Sequence, residues 1–144
     1  MIIKKSCKVG DEDFSIEIGR LAKQATGTAL IQYGETVVFS AVVEGPGRNQ
    51  DGFGGDDFVA LTVDYREKTS AAGKIPGGFF KREGRPTTKE TLVSRLIDRP
   101  LRSLFSDGYS MEVQLNAMVL SIDRENQPDV LAVVSASAAV YLGN

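Results

Sequence analysis

The sequence predicts an α/β protein of one domain, in which strands come first and helices dominate the second half. Strand-like segments, which either alternate apolar and polar residues or are rich in β-branched and aromatic residues, recur through the first 67 positions. Two segments with helical signals follow, with one more strand pattern between them. The chain has 144 residues, of which 42% are hydrophobic, so it is long enough for one domain with a real core.

The first strand predictions rest on periodicity and on turn residues. Phe14, Ile16 and Ile18 alternate with polar neighbours, which predicts a half-buried strand. The segments TALIQY and TVVFSAVVE follow and are separated by Gly34 and Glu35. Two β-rich segments joined by a two-residue turn of this type predict a β-hairpin.

Further along, strands and loops alternate. The glycine-rich residues 45–57 predict a loop, and VALTVDYRE, beginning at Val59, predicts another strand. Residues 68–86 show no clear periodicity, and loops longer than about 12–15 residues are often functional. Residues 111–122 alternate at first and then become apolar on both faces, which predicts a strand that enters the core.

The first predicted helix begins after Thr87. Thr87 and Glu90 have the spacing of a capping box, in which each side chain binds a free backbone N–H at the helix start. Pro100 limits how far this helix continues. Its predicted apolar face consists of Leu92, Val93, Leu96 and Ile97.

The second predicted helix covers residues 128–142 and ends at Gly143. Its residues are apolar or small almost all the way round. A helix without a polar face has to be covered on several sides. We therefore expect that the covering material is missing and that this chain is a fragment of a longer protein.

Composition excludes several classes of function. Histidine is absent, which removes the usual general base near neutral pH and the commonest zinc ligand. Cys7 is the one cysteine, so no internal disulfide forms, and we expect it to be a small strand residue in a reducing compartment. No apolar run approaches the roughly 20 residues that span a bilayer, and no secretory signal pattern is present. We expect a cytoplasmic protein that does not bind a membrane.

Charge is distributed unevenly along the chain. Residues 81–102 carry a net charge of +4, whereas the rest of the chain carries −6. A basic segment in an otherwise acidic chain indicates a localised site for anions. Within it, Arg95 and Arg99 lie four residues apart on the predicted helix, where a bound phosphate would stabilise them. The alternative is that Asp98 neutralises Arg95 within the chain.

The stretch GGFFKREGRP, residues 77–86, joins this basic segment to a pair of aromatic rings. Its glycines and proline disfavour a helix or a central strand. Phe79 and Phe80 therefore need either a hidden hydrophobic contact or a partner that is both flat and anionic. Single-stranded nucleic acid is such a partner, because its bases stack on rings and its phosphates bind cations.

Metal binding is poorly supported by the sequence. Asp56, Asp57 and Asp64 carry carboxylates that Mg²⁺ prefers, but their spacing matches no metal-binding motif. The glycines of residues 45–57 match neither a dinucleotide fingerprint nor a phosphate-binding loop. We expect turn geometry to explain these glycines and no metal to bind this chain.

Two motifs make a family resemblance specific. FFKREGRP followed by ETLVSRLIDRPLRSLF resembles the first core domain of bacterial polynucleotide phosphorylases, and YGETVVFSAVV resembles the early hairpin of the ribonuclease PH superfamily. The resemblance covers essentially the whole chain. It implies a fold like domain 2 of ribosomal protein S5, with a mixed sheet packed by helices, and residues 1–144 would be the first ribonuclease PH-like core domain. The second core domain and the α-helical and RNA-binding accessory domains of the family would lie outside this chain.

The resemblance also implies an activity. The family degrades RNA processively from the 3′ end by phosphorolysis, releases nucleoside diphosphates, and uses Mg²⁺ and inorganic phosphate. Its members form trimeric rings around a central channel for single-stranded RNA, and we expect a homotrimer here, with further partners in an RNA-degradation complex. We expect neither Mg²⁺ nor phosphate to bind this part of the protein.

Site residues follow from the family motifs position by position. The family's RNA-gripping loop matches four consecutive residues here, and further basic family positions match three arginines. Lys81 stands where the family often has arginine, and Ser103 stands where it often has proline. No catalytic or metal-binding residue carries over, because the family places these in its second core domain. The implied RNA-binding residues are Phe79, Phe80, Lys81, Arg82, Arg85, Arg99 and Arg102.

Two alternative interpretations stay open at this point. One is a stand-alone exoribonuclease resembling ribonuclease PH, which the paired phenylalanines disfavour. The other is a non-catalytic RNA-binding module of a ring.

Overall fold

A computed structural model describes residues 2–46, 59–79, 81–123 and 125–143. These residues form six strands, a short 3-10 helix and two α-helices. The strands are β1 (Ile3–Val9), β2 (Glu12–Ile18), β3 (Gly27–Tyr33), β4 (Thr36–Gly45), β5 (Leu61–Glu67) and β6 (Glu112–Ser121). The helices are the 3-10 helix Thr69–Ala72, α1 (Thr88–Arg102) and α2 (Pro128–Leu142). The predicted α/β class is confirmed.

The strands form one mixed sheet in the order β1-β2-β3-β4-β6-β5. All neighbouring strands are antiparallel except β5 and β6, which are parallel. A parallel pair needs a long crossover connection. Residues 68–111 supply that connection, and they contain both the aperiodic loop and α1. The loop and α1 therefore lie beside β5, the edge strand of the sheet.

The predicted strands occur with small shifts of their ends. The hairpin turn lies at Gly34 and Glu35, and Gly34 has a φ of +57°, which favours glycine. The strand predicted from Val59 begins two residues later as β5. Residues 47–58, which cover most of the predicted loop, lie outside the described residues.

The core lies between the sheet and the two helices. Alternate residues of β3, β4 and β6 point towards α2, and α1 packs on β5 and contacts α2. Tyr65, Ile31, Ile97 and Leu115 are the largest fully buried side chains of this cluster. On the opposite face of the sheet the apolar end of β6 stays partly open, with Leu120 43% exposed. The second apolar face of β6 is therefore not covered by described residues.

Helix α1 starts where it was predicted to start, but its buried apolar face is narrower than predicted. Thr87 and Glu90 form both hydrogen bonds of the capping box. Val93 and Ile97 are buried, but Leu92 and Leu96 are 63% and 51% exposed. The prediction that all four form the buried face is wrong for these two leucines. Because α1 lies at the sheet edge, only one narrow side of it faces the core.

The bounds predicted for α2 are confirmed, with Pro128 in its first turn and Gly143 at its C-cap. Its sheet-facing side is buried, including Ala132, Ala136 and Ala139. Its other side exposes apolar residues, among them Val130 at 63% and Tyr141 at 83%. Among the described residues, nothing covers that side.

Candidate nucleic-acid interface

The loop that carries the aromatic and basic residues is closed near its two ends by a carboxylate. Glu83 Oε1 accepts hydrogen bonds from the backbone N–H of Thr69 at 2.8 Å and from the Thr69 hydroxyl at 3.2 Å. Gly78 and Lys81 both have positive φ values, +83° and +46°. Backbone of this type turns the chain sharply, and a non-glycine residue rarely adopts it. The loop therefore has a defined course between the 3-10 helix and α1.

The loop presents its site residues outwards. The Phe79 side chain is 95% exposed, which excludes a core position for this ring. Lys81, Arg82 and Arg85 are also exposed. Phe80 lies outside the described residues, so its predicted role stays a prediction.

Most cations of the basic segment face solvent. Lys81, Arg82, Arg85, Arg95 and Arg99 are exposed and form no ion pair with another described residue. Lys89 instead pairs with Glu67 at 2.8 Å. The proposed pairing of Asp98 with Arg95 is wrong, because Asp98 pairs with Arg102 at 2.7 Å. Asp98 and Arg102 are one helical turn apart, and Arg102 reaches back along α1.

Glu90 joins three parts of the structure at the start of α1. It is 7% exposed, and its two carboxylate oxygens accept from Glu67 N–H at 2.9 Å and from Thr87 N–H at 2.6 Å. Burial of the carboxylate raises its pKa, but hydrogen bonds from Thr87 and Glu67 and the nearby Arg66 guanidinium outweigh burial and lower it. Glu90 therefore stays ionised and ties the end of β5 to the end of the loop.

Arg102 is bound within the chain. Its guanidinium donates to Val59 O at 2.6 Å and to Leu61 O at 3.0 Å, in addition to Asp98. These partners lie at the start of β5. The RNA contact predicted for Arg102 stays a prediction. Unlike Arg85 and Arg99, Arg102 already donates hydrogen bonds within the described part of the chain.

The remaining cations, Arg95 and Arg99, lie along α1. Arg99 lies eleven residues after the helix start at Thr88, which corresponds to about 16 Å along the axis. Arg95 and Arg99 share one side of α1 because they are four residues apart. Exposed cations on the loop and on α1, together with an exposed ring on the loop, suit a flexible polyanion that carries flat groups.

The structure contains contacts that the sequence interpretation missed. Ser94 Oγ accepts from Tyr65 N–H at 3.1 Å, and the buried Tyr65 hydroxyl donates to Glu67 at 2.6 Å. Burial, followed by the neighbouring Glu67 carboxylate, raises the pKa of Tyr65 far above its ordinary value. Glu90, Ser94, Asp98 and Arg102 recur every four residues along α1. That polar spacing is the signal in the sequence that pointed to these contacts.

No metal cluster is found in the part of the chain that the structure describes: it has no group of three or more His, Cys, Asp or Glu side chains able to hold an ion. Asp64 is hydrogen-bonded to the Arg66 guanidinium at 3.1 Å. Asp56 and Asp57 lie outside the described residues. Among the helices described, none has the length and apolar character needed to cross a membrane.

Comparison with solved structures supports the fold. The chain is similar to a chain of the Archaeoglobus fulgidus exosome with RNA bound to the active site, with a TM-score of 0.65 and 21% identity over 94% of this chain and 51% of that chain. It is also similar to rice (Oryza sativa) Rrp46, with a TM-score of 0.68 and 20% identity over 90% of this chain and 54% of that chain. At these identities the likeness shows the fold alone.

Comparison with curated sequences is more specific. A polyribonucleotide nucleotidyltransferase of Nitrobacter winogradskyi is 57% identical over 133 residues, which is 92% of this chain and 18% of that protein. One from Rhodopseudomonas palustris is 56% identical over the same lengths. The chain thus spans about a fifth of the length of these relatives. Residues 12–143 also match the 3′ exoribonuclease family, domain 1. The strand order, the loop and the helix described above therefore belong to a member of the 3′ exoribonuclease family, of which this chain carries domain 1.

Proposed function

We propose that this chain is the N-terminal part of a polyribonucleotide nucleotidyltransferase, a processive 3′ to 5′ phosphorolytic exoribonuclease that releases nucleoside diphosphates from RNA. The observation that carries this proposal is the 56–57% identity to relatives of that name across 92% of the chain. The part present here grips single-stranded RNA and contributes to ring assembly. Catalysis belongs to other parts of the full-length protein.

The geometry supports a gripping role. The exposed Phe79 ring offers a stacking surface, and the exposed cations Lys81, Arg82, Arg85 and Arg99 offer binding sites for phosphates. Base stacking on an aromatic ring contributes about 1–3 kcal/mol and tolerates every base. This combination suits an enzyme that has to thread RNA of any sequence. Phe80 belongs to the same proposal as a predicted contact, whereas the hydrogen bonds of Arg102 within the chain support a different role for that residue.

The ions of the reaction have other binding sites in this proposal. Mg²⁺ and inorganic phosphate serve the full-length enzyme, in which Mg²⁺ supplies charge stabilisation to phosphoryl transfer. The described residues do not fit a metal, because no three potential ligands come together among them. We assign this chain no step that involves the metal.

The proposed biological setting extends the family resemblance. We propose a cytoplasmic homotrimer that takes part in mRNA degradation and has partners in an RNA-degradation complex. The open apolar sides of α2 and of β6 support burial against further protein in the assembled enzyme.

Salt-dependent RNA binding tests the gripping role. Arg85→Glu and Arg99→Glu in the full-length protein should each weaken binding of a long oligoadenylate. Each should also reduce the slope of log affinity against log salt by about 0.7, because one phosphate contact to a single strand is lost.

Lys23→Glu is the matched control. Lys23 is exposed and precedes β3, at the end of the sheet opposite the loop. The Lys23→Glu change alters the net charge by the same amount and should leave the slope of log affinity against log salt unchanged. If the Arg85 and Arg99 variants behave like Lys23→Glu, Arg85 and Arg99 do not contact RNA.

A further inference from the structure

Among the described strands, β5 lies at one edge of the sheet. It pairs with β6 alone among them, so the N–H and C=O groups of its odd-numbered residues, which point away from β6, have no partner in another described strand. Unpaired backbone groups at a sheet edge are normally protected by charge, a bulge or a covering element. Here the covering element is α1, and it binds the edge with side chains.

The contacts follow a regular spacing. Glu90 accepts from Glu67 N–H, Ser94 accepts from Tyr65 N–H, and Arg102 donates to Leu61 O and Val59 O. Four residues of helix rise about 6 Å, and two residues of strand rise about 6.6 Å. A polar residue at every fourth helix position therefore stays level with every second residue of the strand.

The chemistry of each position matches its partner. Near the end of β5 the bound groups are N–H donors, and α1 places two acceptors there, a carboxylate and a hydroxyl. Near the beginning of β5 the bound groups are carbonyl acceptors, and α1 places a guanidinium there. Asp98 accepts twice from the same guanidinium, at 2.7 and 3.3 Å, and so holds it in the required orientation. Glu90, Ser94, Asp98 and Arg102 are the edge-binding row of α1.

The cations of the proposed interface lie beside the edge-binding row. Arg95 and Arg99 are each one position past a member of the row, about 100° further round the helix, and are exposed. A helix that is fixed along one side holds its neighbouring sides at a fixed height and rotation. The edge-binding row therefore decides where these two cations lie.

We propose that Arg102 is a positioning residue, which together with the rest of the edge-binding row fixes α1 on the edge of β5 and so aims Arg95 and Arg99 at RNA. This inference rests on the proposed RNA-binding function. It gives Arg102 a role different from that of Arg99, although both are arginines of the same helix.

Hydrogen exchange tests the positioning role without RNA. In the full-length protein, Ser94→Ala removes the acceptor of Tyr65 N–H, and Arg102→Gln and Arg102→Lys remove the guanidinium fork. Each variant should speed amide exchange in β5 about tenfold, since the loss of one such hydrogen bond is worth about a factor of ten. Arg99→Gln is the contrast and should leave exchange in β5 unchanged.

RNA binding separates positioning from direct contact. If Arg102 positions α1, Arg102→Lys should not restore affinity, because lysine keeps the charge but lacks the fork that reaches two carbonyls and Asp98. The neutral change Ser94→Ala should also weaken RNA binding. Unchanged β5 exchange in Arg102→Lys, together with wild-type RNA affinity, would overturn the proposal and assign Arg102 to a phosphate contact.

Ser94→Ala is the mildest change in the edge-binding row, so it is the variant least expected to misfold. Unchanged exchange in Ser94→Ala would also overturn the proposal, whatever the arginine variants do. If the wild-type protein does not bind RNA, the proposed function fails, and the exchange data still decide whether the row fixes α1 on β5.

Discussion

Individual side chains of the loop combine exposure with a fixed backbone course. Phe79 is almost fully exposed although phenylalanine usually lies in a core. The loop around it is anchored by Glu83 and turns at Gly78 and Lys81. An exposed ring on an anchored loop loses little conformational freedom when a base stacks on it, which favours binding.

Replacing the ring tests stacking directly. Phe79→Ala in the full-length protein should weaken binding of long RNA about 5- to 150-fold, which corresponds to the loss of one stacked base. Kinetic constants for very short oligonucleotides should change little, because these need not reach the loop. Phe80→Ala should behave in the same way. Single-turnover degradation of long and short RNAs measures both effects.

Two controls accompany this experiment. Ile75→Ala removes an apolar side chain that is 85% exposed in the same loop but has no ring, and RNA affinity should not change. Thermal unfolding of Phe79→Ala should match the wild type, whereas truncation of a buried Phe costs about 3–5 kcal/mol. Equal kinetic loss on long and short RNA would contradict the stacking role.

The ionised carboxylate of Glu90 joins β5 to the start of α1. Its pKa is lowered in the folded protein, so its contribution to stability is complete above its ordinary value of 4.5 and is lost as the pH falls through the folded value. Glu90→Gln keeps one acceptor but turns an NH₂ group towards the second N–H. We expect it to cost about 1–3 kcal/mol at pH 7 and less below pH 4.5.

Urea unfolding between pH 3.5 and 7 measures this difference. Glu125→Gln, which changes an exposed carboxylate elsewhere, should show no such pH dependence. A constant difference between wild type and Glu90→Gln across this range would show that the charge of Glu90 does not stabilise the junction.

At the scale of elements, β3 and α2 approach each other closely where one begins and the other ends. A Cβ added at Gly27 would lie 2.1 Å from Ala139 O and 2.8 Å from Gly143 N. Both atoms belong to the backbone and cannot move aside as a flexible side chain does. Gly27 therefore sets the distance between the sheet and the C-terminal end of α2.

Gly27→Ala should destabilise the fold by more than the roughly 1–3 kcal/mol that is typical of overpacking, because the backbone itself has to shift. Equilibrium unfolding in urea measures the change. Gly45→Ala is the matched control, since its added Cβ would lie 3.9 Å from Glu112 O, an ordinary contact, and should be tolerated. Similar stabilities of the two variants would contradict the close packing at Gly27.

At the scale of the whole molecule, the chain covers 18% of the length of a curated relative. The proposed function assigns RNA gripping to this part, and the family resemblance implies that the ion-binding groups lie in a second core domain. Purified residues 1–144 should therefore release no ADP from oligoadenylate in Mg²⁺ and phosphate. Phosphorolysis by the full-length protein is the positive control, and ADP release by the pure 144-residue chain would place catalytic residues within it.

The sequence by itself determined the local features of this protein. The capping box at Thr87, the hairpin turn at Gly34 and the C-cap at Gly143 depend on contacts within a few residues, which a local pattern encodes directly. The sequence also predicted a loop around Phe79, because its glycines and proline disfavour regular structure there.

Only the tertiary structure decided which side chains are buried and which charged side chains pair with each other. Leu92 and Leu96 fit an apolar helix face but are exposed, and Asp98 pairs with Arg102 rather than with Arg95. Both outcomes depend on β5 being an edge strand, since α1 then needs a polar row against the open backbone and only a narrow apolar side against the core. The order of strands in a sheet is set by contacts between residues far apart in the chain, and local periodicity contains no information about it.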